Sequence, residues 1–101
     1  MNTDTLHLIE KNEWYQLIKK GIKKEDYREI TSYWERRICF FPYYTRNPRN
    51  FTTVCCHNGY TKEKILLECE GIEIGTGRPE WGATPRKKYF KIKLGKERLS
   101  I

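Results

Sequence analysis

Three charged side chains of different chemistry lie within one short segment of the chain, Lys23, Asp26 and Arg28. The alternating pattern predicts a strand from Lys24 to Ile30, in which residues 26 and 28 share a face about 7 Å apart along the backbone. Arg28 can then bind a phosphate or carbonyl group in a bidentate manner, and Asp26 can accept from a base amino group or orient Lys23. The spacing therefore predicts a polar ligand cleft, and it fits equally well a structural ion pair that holds the strand.

A second set of residues alternates aromatic and cationic groups in a loop rich in proline and asparagine. The loop extends over residues 42–50 and contains Tyr43, Tyr44, Arg46 and Arg49. Aromatic faces stack on bases while arginines neutralise phosphates, so this pattern suits a single-stranded nucleic acid. The alternative is that one tyrosine covers the core and the other side chains are solvated.

Two further features belong to the second half of the chain. Trp81 lies among glycines and prolines in a predicted loop over residues 75–85, where it is either a stacking platform at the cleft or a plug in a barrel mouth. A last strand is predicted from Tyr89 to Leu94. It places Lys91 and Lys93 together on one face, and these lysines form part of a basic stripe that favours electrostatic contact with nucleic acid.

Composition limits the class of protein. A chain of 101 residues has room for one domain, residues 1–101, and its net charge of +7 comes from 20 basic and 13 acidic residues. Such a charge is typical of a domain that meets a polyanion, although a surface solubilised by lysine has the same composition. Because there is no apolar run of about 18 residues and no signal-peptide pattern at the start, we expect a cytoplasmic protein without a membrane partner.

The four cysteines show no C-x-x-C spacing, and we expect them to be buried free thiols. Adjacent residues Cys55 and Cys56 should point to opposite faces of a strand. A zinc site built from Cys55, His57 and a distant cysteine is a weaker alternative, since paired short-spaced ligands are the usual signature. We therefore expect neither a metal nor a cofactor.

The remaining patterns predict an α+β fold that is mostly β. Gly21 should end a first helix in the left-handed conformation, Ser32 should open a second, shorter helix through a capping box with Glu35, and Glu70-Gly71 should form a bulge. These elements fit a small β-barrel of five or six strands with two short helices packed against it. The predicted elements are strand 5–9, helix 10–20 with Asn12 as N-cap, strand 24–30, helix from 32, strand 51–57, a long strand from 60 or 62 to 69 continuing at 72–74, and strand 89–94.

The segment from Gly21 to Arg28, G-x-K-x-x-D-x-R, resembles the G-x-K-x-x-[ET]-x-R signature of ASCH domains, which have a PUA-like β-barrel fold. The context agrees over nearly the whole chain, including Asn58-Gly59-Tyr60 before a long strand and Glu80-Trp81-Gly82 before the last one. The resemblance is to the small single-domain branch, and it implies RNA binding or the chemistry of modified nucleosides.

One member of that branch is an amidohydrolase that acts on acetylated cytidine. Its signature lysine corresponds to Lys23, whereas its catalytic threonine corresponds to Asp26, so a hydroxyl nucleophile is absent here. The amidohydrolase also uses a glutamate, for which Glu68 and Glu80 are candidates.

We therefore expect a domain that binds RNA, a nucleotide or a nucleobase-like ligand in a cleft framed by Lys23, Asp26, Arg28 and Trp81. A small hydrolase that acts on a modified nucleoside or on RNA through the same cleft, with Lys23 and Asp26 as catalytic residues, is the first alternative. A protein-interaction module with a basic face is the second.

Overall fold

The computed structural model describes residues 4–98, which form five strands and two α-helices. Two short 3-10 helices, Tyr43–Thr45 and Pro79–Trp81, lie within the two predicted loops. None of the helices in residues 4–98 is long and apolar enough to cross a membrane. The strands are β1 (Thr5–Glu10), β2 (Glu25–Glu29), β3 (Thr53–Asn58), β4 (Lys64–Thr76) and β5 (Lys88–Glu97), and the helices are α1 (Asn12–Lys19) and α2 (Ser32–Ile38).

All five strands belong to one curled sheet with the order β1-β3-β4-β5-β2. β1 runs parallel to β3, and every other neighbouring pair is antiparallel, so β3, β4 and β5 form a meander. The predicted fold class, a mostly β small barrel with two short helices, is confirmed. The end strands β1 and β2 face each other across the opening of the curl.

The bulge predicted at Glu70-Gly71 is present within β4. The pairing with β5 shifts register on both sides of Cys69, and Gly71 has a φ of +125°, which a residue with a side chain rarely adopts. The first part of β4 pairs with β3 and the later part with β5. A bulge strengthens the local bend and twist of a strand, so this one helps to curl the sheet.

The core lies between the concave face of the sheet and the helices. It includes the fully buried side chains of Leu8, Ile38, Val54, Phe90 and Ile92, which share this space with Tyr15 and Ile18 of α1. Complete burial of one such apolar side chain is worth about 1.5–3 kcal/mol relative to exposure. The core therefore fixes α1 against the sheet, whereas β2, which has no residue in this core, is held by its pairing with β5.

Two helix starts differ from the predictions by one residue. The N-cap of α2 is Thr31, because its extended backbone lets its hydroxyl accept from the Trp34 amide at 3.3 Å, while Ser32 is already helical. The N-cap of α1 is Lys11, which makes no side-chain cap. Asn12 is the first helical residue, and its Oδ1 instead accepts from Asn58 of β3 at 2.9 Å.

Candidate ligand-binding cleft

A cleft of about 230 Å³ opens between the facing edges of β1 and β2. The structure places the four predicted cleft residues, Lys23, Asp26, Arg28 and Trp81, around this one space. The start of α1 and the 3-10 helix at Pro79–Trp81 complete the walls. The full lining comprises Ile9, Glu10, Lys11, Trp14, Lys23, Asp26, Tyr27, Arg28, Trp81, Gly82 and Tyr89.

Lys23 reaches the cleft from the connection between α1 and β2. Gly21, with a φ of +76°, turns the chain after the helix as predicted, and the Lys23 amide donates to the Leu17 carbonyl at 3.1 Å. The side chain is only 2% exposed, and its Nζ donates to the Glu25 carbonyl at 2.7 Å and to Asp26 Oδ1 at 2.9 Å. Since an ammonium has three donors, one donor of Lys23 is not used by these two bonds.

Arg28 joins the two edges of the sheet across the cleft. Its Nε donates to Asp26 Oδ2 at 2.7 Å, and its Nη2 donates to Glu10 Oε2 at 2.9 Å and to the Ile9 carbonyl at 3.1 Å. The side chains of residues 26 and 28 thus converge into a direct ion pair. Within residues 4–98 the hydrogen bonds of this guanidinium use Nε and Nη2, so both N–H groups of Nη1 remain for a ligand.

Glu10 completes the buried polar group, and the sequence analysis did not identify it. β1 continues one residue beyond the predicted end at Ile9, and Glu10 follows Leu6 and Leu8 on the inner face of the strand. The period of two across Leu6, Leu8 and Glu10 indicates that Glu10 faces inward on β1. The helix predicted over residues 10–20 includes Glu10 as well, so the two patterns overlap at this residue. Glu68 and Glu80, the candidates for a helping glutamate, are both exposed and do not line the cleft.

The two carboxyl groups on the cleft floor are in opposite protonation states at neutral pH. Burial, together with the negative charge of Asp26, raises the pKa of Glu10 from 4.5 to about 8. Burial also acts to raise the pKa of Asp26, but the charges and hydrogen bonds of Arg28 and Lys23 outweigh it and lower that pKa.

Glu10 therefore carries a proton at pH 7 and donates it in a hydrogen bond to ionised Asp26. Its carbonyl oxygen accepts from Arg28, so the 2.9 Å contact is a hydrogen bond to a neutral acid. With Lys23 and Arg28 balanced only by Asp26, the floor has one net positive charge, which favours an anionic or electron-rich ligand.

Aromatic rings surround the charged floor. Lys23 Nζ lies 5.7 Å from the ring centroid of Trp14 and 5.6 Å from that of Tyr27. The Tyr27 hydroxyl donates to Glu25 Oε1 at 2.7 Å and accepts from the Arg78 amide at 2.9 Å, so it fixes the start of the loop that carries Trp81. Burial, and the bond to Glu25, raise the pKa of Tyr27 to about 12, so the phenol stays protonated.

The residues predicted to contact nucleic acid lie outside the cleft. Tyr43 and Tyr44 belong to the 3-10 helix at Tyr43–Thr45, where Tyr44 is 79% exposed. Arg46 pairs with Glu35 at 2.8 Å. The Arg49 guanidinium lies 4.6 Å from the centre of the Phe51 ring, so it contributes to packing as well as to charge.

The basic stripe on β5 is partly neutralised. Lys91 and Lys93 occupy its outer face, and both lie near Glu73 of β4, at 3.7 Å and 3.3 Å respectively. Acidic and basic residues thus alternate across these two strands. The positive potential expected from the sequence is correspondingly weaker here than the lysine count indicates.

All four cysteines are free thiols, as predicted. Cys39, Cys55 and Cys56 are buried and Cys69 is half-buried. Burial raises the pKa of each thiol, which favours the protonated form at neutral pH.

The protein is a small curled sheet with two helices. A buried network of Glu10, Arg28, Asp26 and Lys23 closes the open edge of the sheet, and aromatic rings surround this network. Comparison of the chain with protein-family models, with curated proteins and with solved structures found no match. The resemblance to ASCH domains therefore stays a prediction that rests on the motif and its context.

Proposed function

We propose that this protein binds a nucleobase-bearing ligand, a nucleotide or one residue of an RNA strand, in the cleft between β1 and β2. The observation that carries the proposal is the combination of a charged, hydrogen-bonded floor with aromatic walls in one space of about 230 Å³. Typical sites for drug-sized ligands have roughly 300–1,000 Å³, so this cleft suits one base or nucleoside rather than several.

The polar groups of the cleft match the edge of a base. The two N–H groups of Arg28 Nη1 point in different directions, and each can donate to a carbonyl, a ring nitrogen or a phosphate oxygen. The rings of Trp14, Tyr27 and Trp81 offer apolar faces, on which a base stacks whatever its sequence. One net positive charge on the floor adds attraction for a phosphate.

An RNA strand whose residue enters the cleft would also meet the surface outside it. The exposed ring of Tyr44 and the chain's net charge of +7 support such contacts. Because Arg46, Lys91 and Lys93 are paired with acids, we expect few phosphate contacts and a shallow salt dependence. Each phosphate contacted on a single strand contributes a log–log slope of about −0.7.

A hydrolase that uses the same cleft is a second candidate, favoured by one observation. Glu10 is protonated beside ionised Asp26, and a pair of carboxyl groups with separated pKa values is the arrangement that acid–base catalysis requires. In this proposal Glu10 protonates the leaving group, Asp26 accepts a proton from the attacking water, and Lys23 stabilises the developing oxyanion.

Chemical-shift perturbation in ¹H–¹⁵N spectra tests binding. Titration with mononucleotides, nucleosides and short single-stranded RNA should shift amides of Glu10, Trp14, Arg28 and Trp81. Trp81→Ala should weaken mononucleotide binding by about 1–3 kcal/mol if its ring stacks on the base. Tyr44→Ala is the matched control, since it removes an exposed ring outside the cleft and should leave mononucleotide affinity unchanged.

If no cleft amide shifts at millimolar ligand, or if both variants weaken a mononucleotide equally, the cleft is not the binding site. Turnover is tested separately with acylated nucleosides and RNA. Hydrolysis that vanishes in Glu10→Gln, while binding persists, would establish the second candidate; turnover that survives in Glu10→Gln would exclude Glu10 as the acid.

A further inference from the structure

Three side chains with metal-binding atoms meet on the outer face of the sheet. The parallel pairing of β1 with β3 places His7 beside Cys55, and His57 lies two residues further along β3 on the same face. One ligand atom from each residue lies within 4.8 Å of the other two. His7 is exposed and His57 half-buried, whereas Cys55 lies beneath them at 5% exposure.

The two imidazoles are nearly at the separation of ligands on one ion. His7 Nδ1 and His57 Nε2 are 3.0 Å apart, where one ring must donate and the other must accept. In a tetrahedral zinc site with Zn–N of about 2.05 Å and Zn–S of about 2.3 Å, the N···N separation is about 3.3 Å and the N···S separation about 3.6 Å. Side-chain rotations that move the two nitrogens slightly apart and bring the thiol to about 3.6 Å from both would convert the hydrogen bond into a shared coordination.

A metal ion at this cluster would be held by the deprotonated ligands, the Cys55 thiolate and the neutral imidazoles of His7 and His57. Coordination therefore releases protons, and binding should strengthen as pH rises.

We propose that His7, Cys55 and His57 bind one divalent ion of the zinc class, with the fourth position open to solvent. Imidazole and thiolate suit zinc, cobalt and copper rather than magnesium or calcium. Three protein ligands with an open position are characteristic of exchangeable or catalytic sites, whereas structural zinc sites use four. The third ligand is His7, not the distant cysteine considered from the sequence.

This site is separate from the cleft. His7 lies on the outer face of β1 and Glu10 on the inner face, so a metal at the cluster contacts none of the charged residues on the cleft floor. Its occupancy can be tested without knowing the ligand of the cleft.

Cobalt provides the direct test, because a thiolate–Co²⁺ bond gives a charge-transfer band in the near ultraviolet and tetrahedral coordination gives visible bands. The reduced protein should bind one Co²⁺ per chain with both sets of bands, and one equivalent of Zn²⁺ should abolish them. Cys55→Ser should lose the charge-transfer band, and His7→Gln should weaken binding. Cys69→Ser is the matched control: it removes another thiol, which lies outside the cluster, and should keep every band.

A second measurement uses only the wild-type chain, in case a variant fails to fold. Long-range ¹H–¹⁵N spectra of the imidazoles should show one ring nitrogen of His7 and one of His57 shifting on addition of one equivalent of Zn²⁺. Absence of the thiolate band in the wild-type protein, persistence of the band in Cys55→Ser, or unchanged ring nitrogens would each overturn the proposal.

Discussion

The protonation of Glu10 makes the stability of the fold depend on pH in a window where few other groups titrate. In the unfolded chain the Glu10 carboxyl has a pKa near 4.5, and burial beside Asp26 raises the pKa to about 8 in the folded state. Between these values the folded state holds a proton that the unfolded state has lost. Stability from this proton is therefore fully present below pH 4.5 and is lost as pH rises through 8.

The expected size of this pH effect follows from the number of protons that the folded state binds in excess of the unfolded state. One bound proton changes the free energy of unfolding by about 1.4 kcal/mol per pH unit, so between pH 6.5 and 7.5 the protein should lose roughly 1 kcal/mol. For a domain of this length that is a fall in Tm of about 4–8 °C. Between these pH values His57 contributes little. Its pKa is lowered in the folded state, so its titration changes the free energy of unfolding in the opposite direction, mainly below about pH 6.5.

Glu10→Gln supplies the matched variant, because its amide mimics the neutral acid: the oxygen accepts from Arg28 and the NH₂ donates to Asp26. Thermal unfolding of both proteins at half-unit steps from about pH 6.5 to 8 measures the slope. Wild type should lose stability across the window while Glu10→Gln stays nearly flat, and Glu13→Gln on the exposed face of α1 should behave as wild type. A flat wild-type profile, or an equal slope in Glu10→Gln, would refute the assignment of the proton to Glu10.

Three further predictions concern the cleft floor, the loop that carries Trp81 and the start of α2. Asp26→Asn removes the only ionised acid that Lys23 and Arg28 contact, and ionisation of Glu10 can replace it beside Arg28 alone, so urea unfolding should show a loss of up to about 3–5 kcal/mol; a loss below about 1 kcal/mol would mean that the network contributes little. A Cβ on Gly77 would lie 2.5 Å from the Tyr27 ring, so Gly77→Ala should lower Tm and move cleft resonances, whereas Gly75→Ala, which meets only a lysine side chain at 3.2 Å, should do neither. Thr31→Ala removes the cap of α2 and should cost about 1 kcal/mol in urea unfolding; no change would show that the cap is not stabilising.

The elements were predictable from the sequence because each has a local signal. Period-two alternation marks the strands, the helical spacing of Trp14, Leu17 and Ile18 marks α1, and Gly21 and Gly71 mark positions that need unusual backbone angles. The one-residue difference at the start of α2 arose because Thr31 and Ser32 are both good caps. Which of them acts depends on the direction in which the chain enters the helix.

The cleft was predictable only in part. The motif identified Lys23, Asp26 and Arg28, but the spacing could not show that their side chains converge, because the closing partner comes from a distant strand. Glu10 is brought beside Arg28 by the curl of the whole sheet, and His7 is brought beside Cys55 by a parallel pairing of residues 48 apart. Contacts of this kind depend on register between strands, which no local pattern encodes.

The hydrogen bonds of Arg28 give this side chain two roles, one in the cleft and one in holding β1 and β2 together. The Arg28 guanidinium, which would bind the proposed ligand through Nη1, donates to the Ile9 carbonyl of β1 through Nη2. This hydrogen bond links β1 and β2, which are not paired with each other in the sheet of the described residues. A ligand that pulls this group toward itself must therefore loosen the link between β1 and β2, whereas one that accepts only from Nη1 leaves the link intact and adds to it. Hydrogen exchange of the amides in β1 and β2 distinguishes the two modes, since the first would speed their exchange and the second would slow it. The proposed binding in the cleft is in this way coupled to the opening of the sheet between β1 and β2.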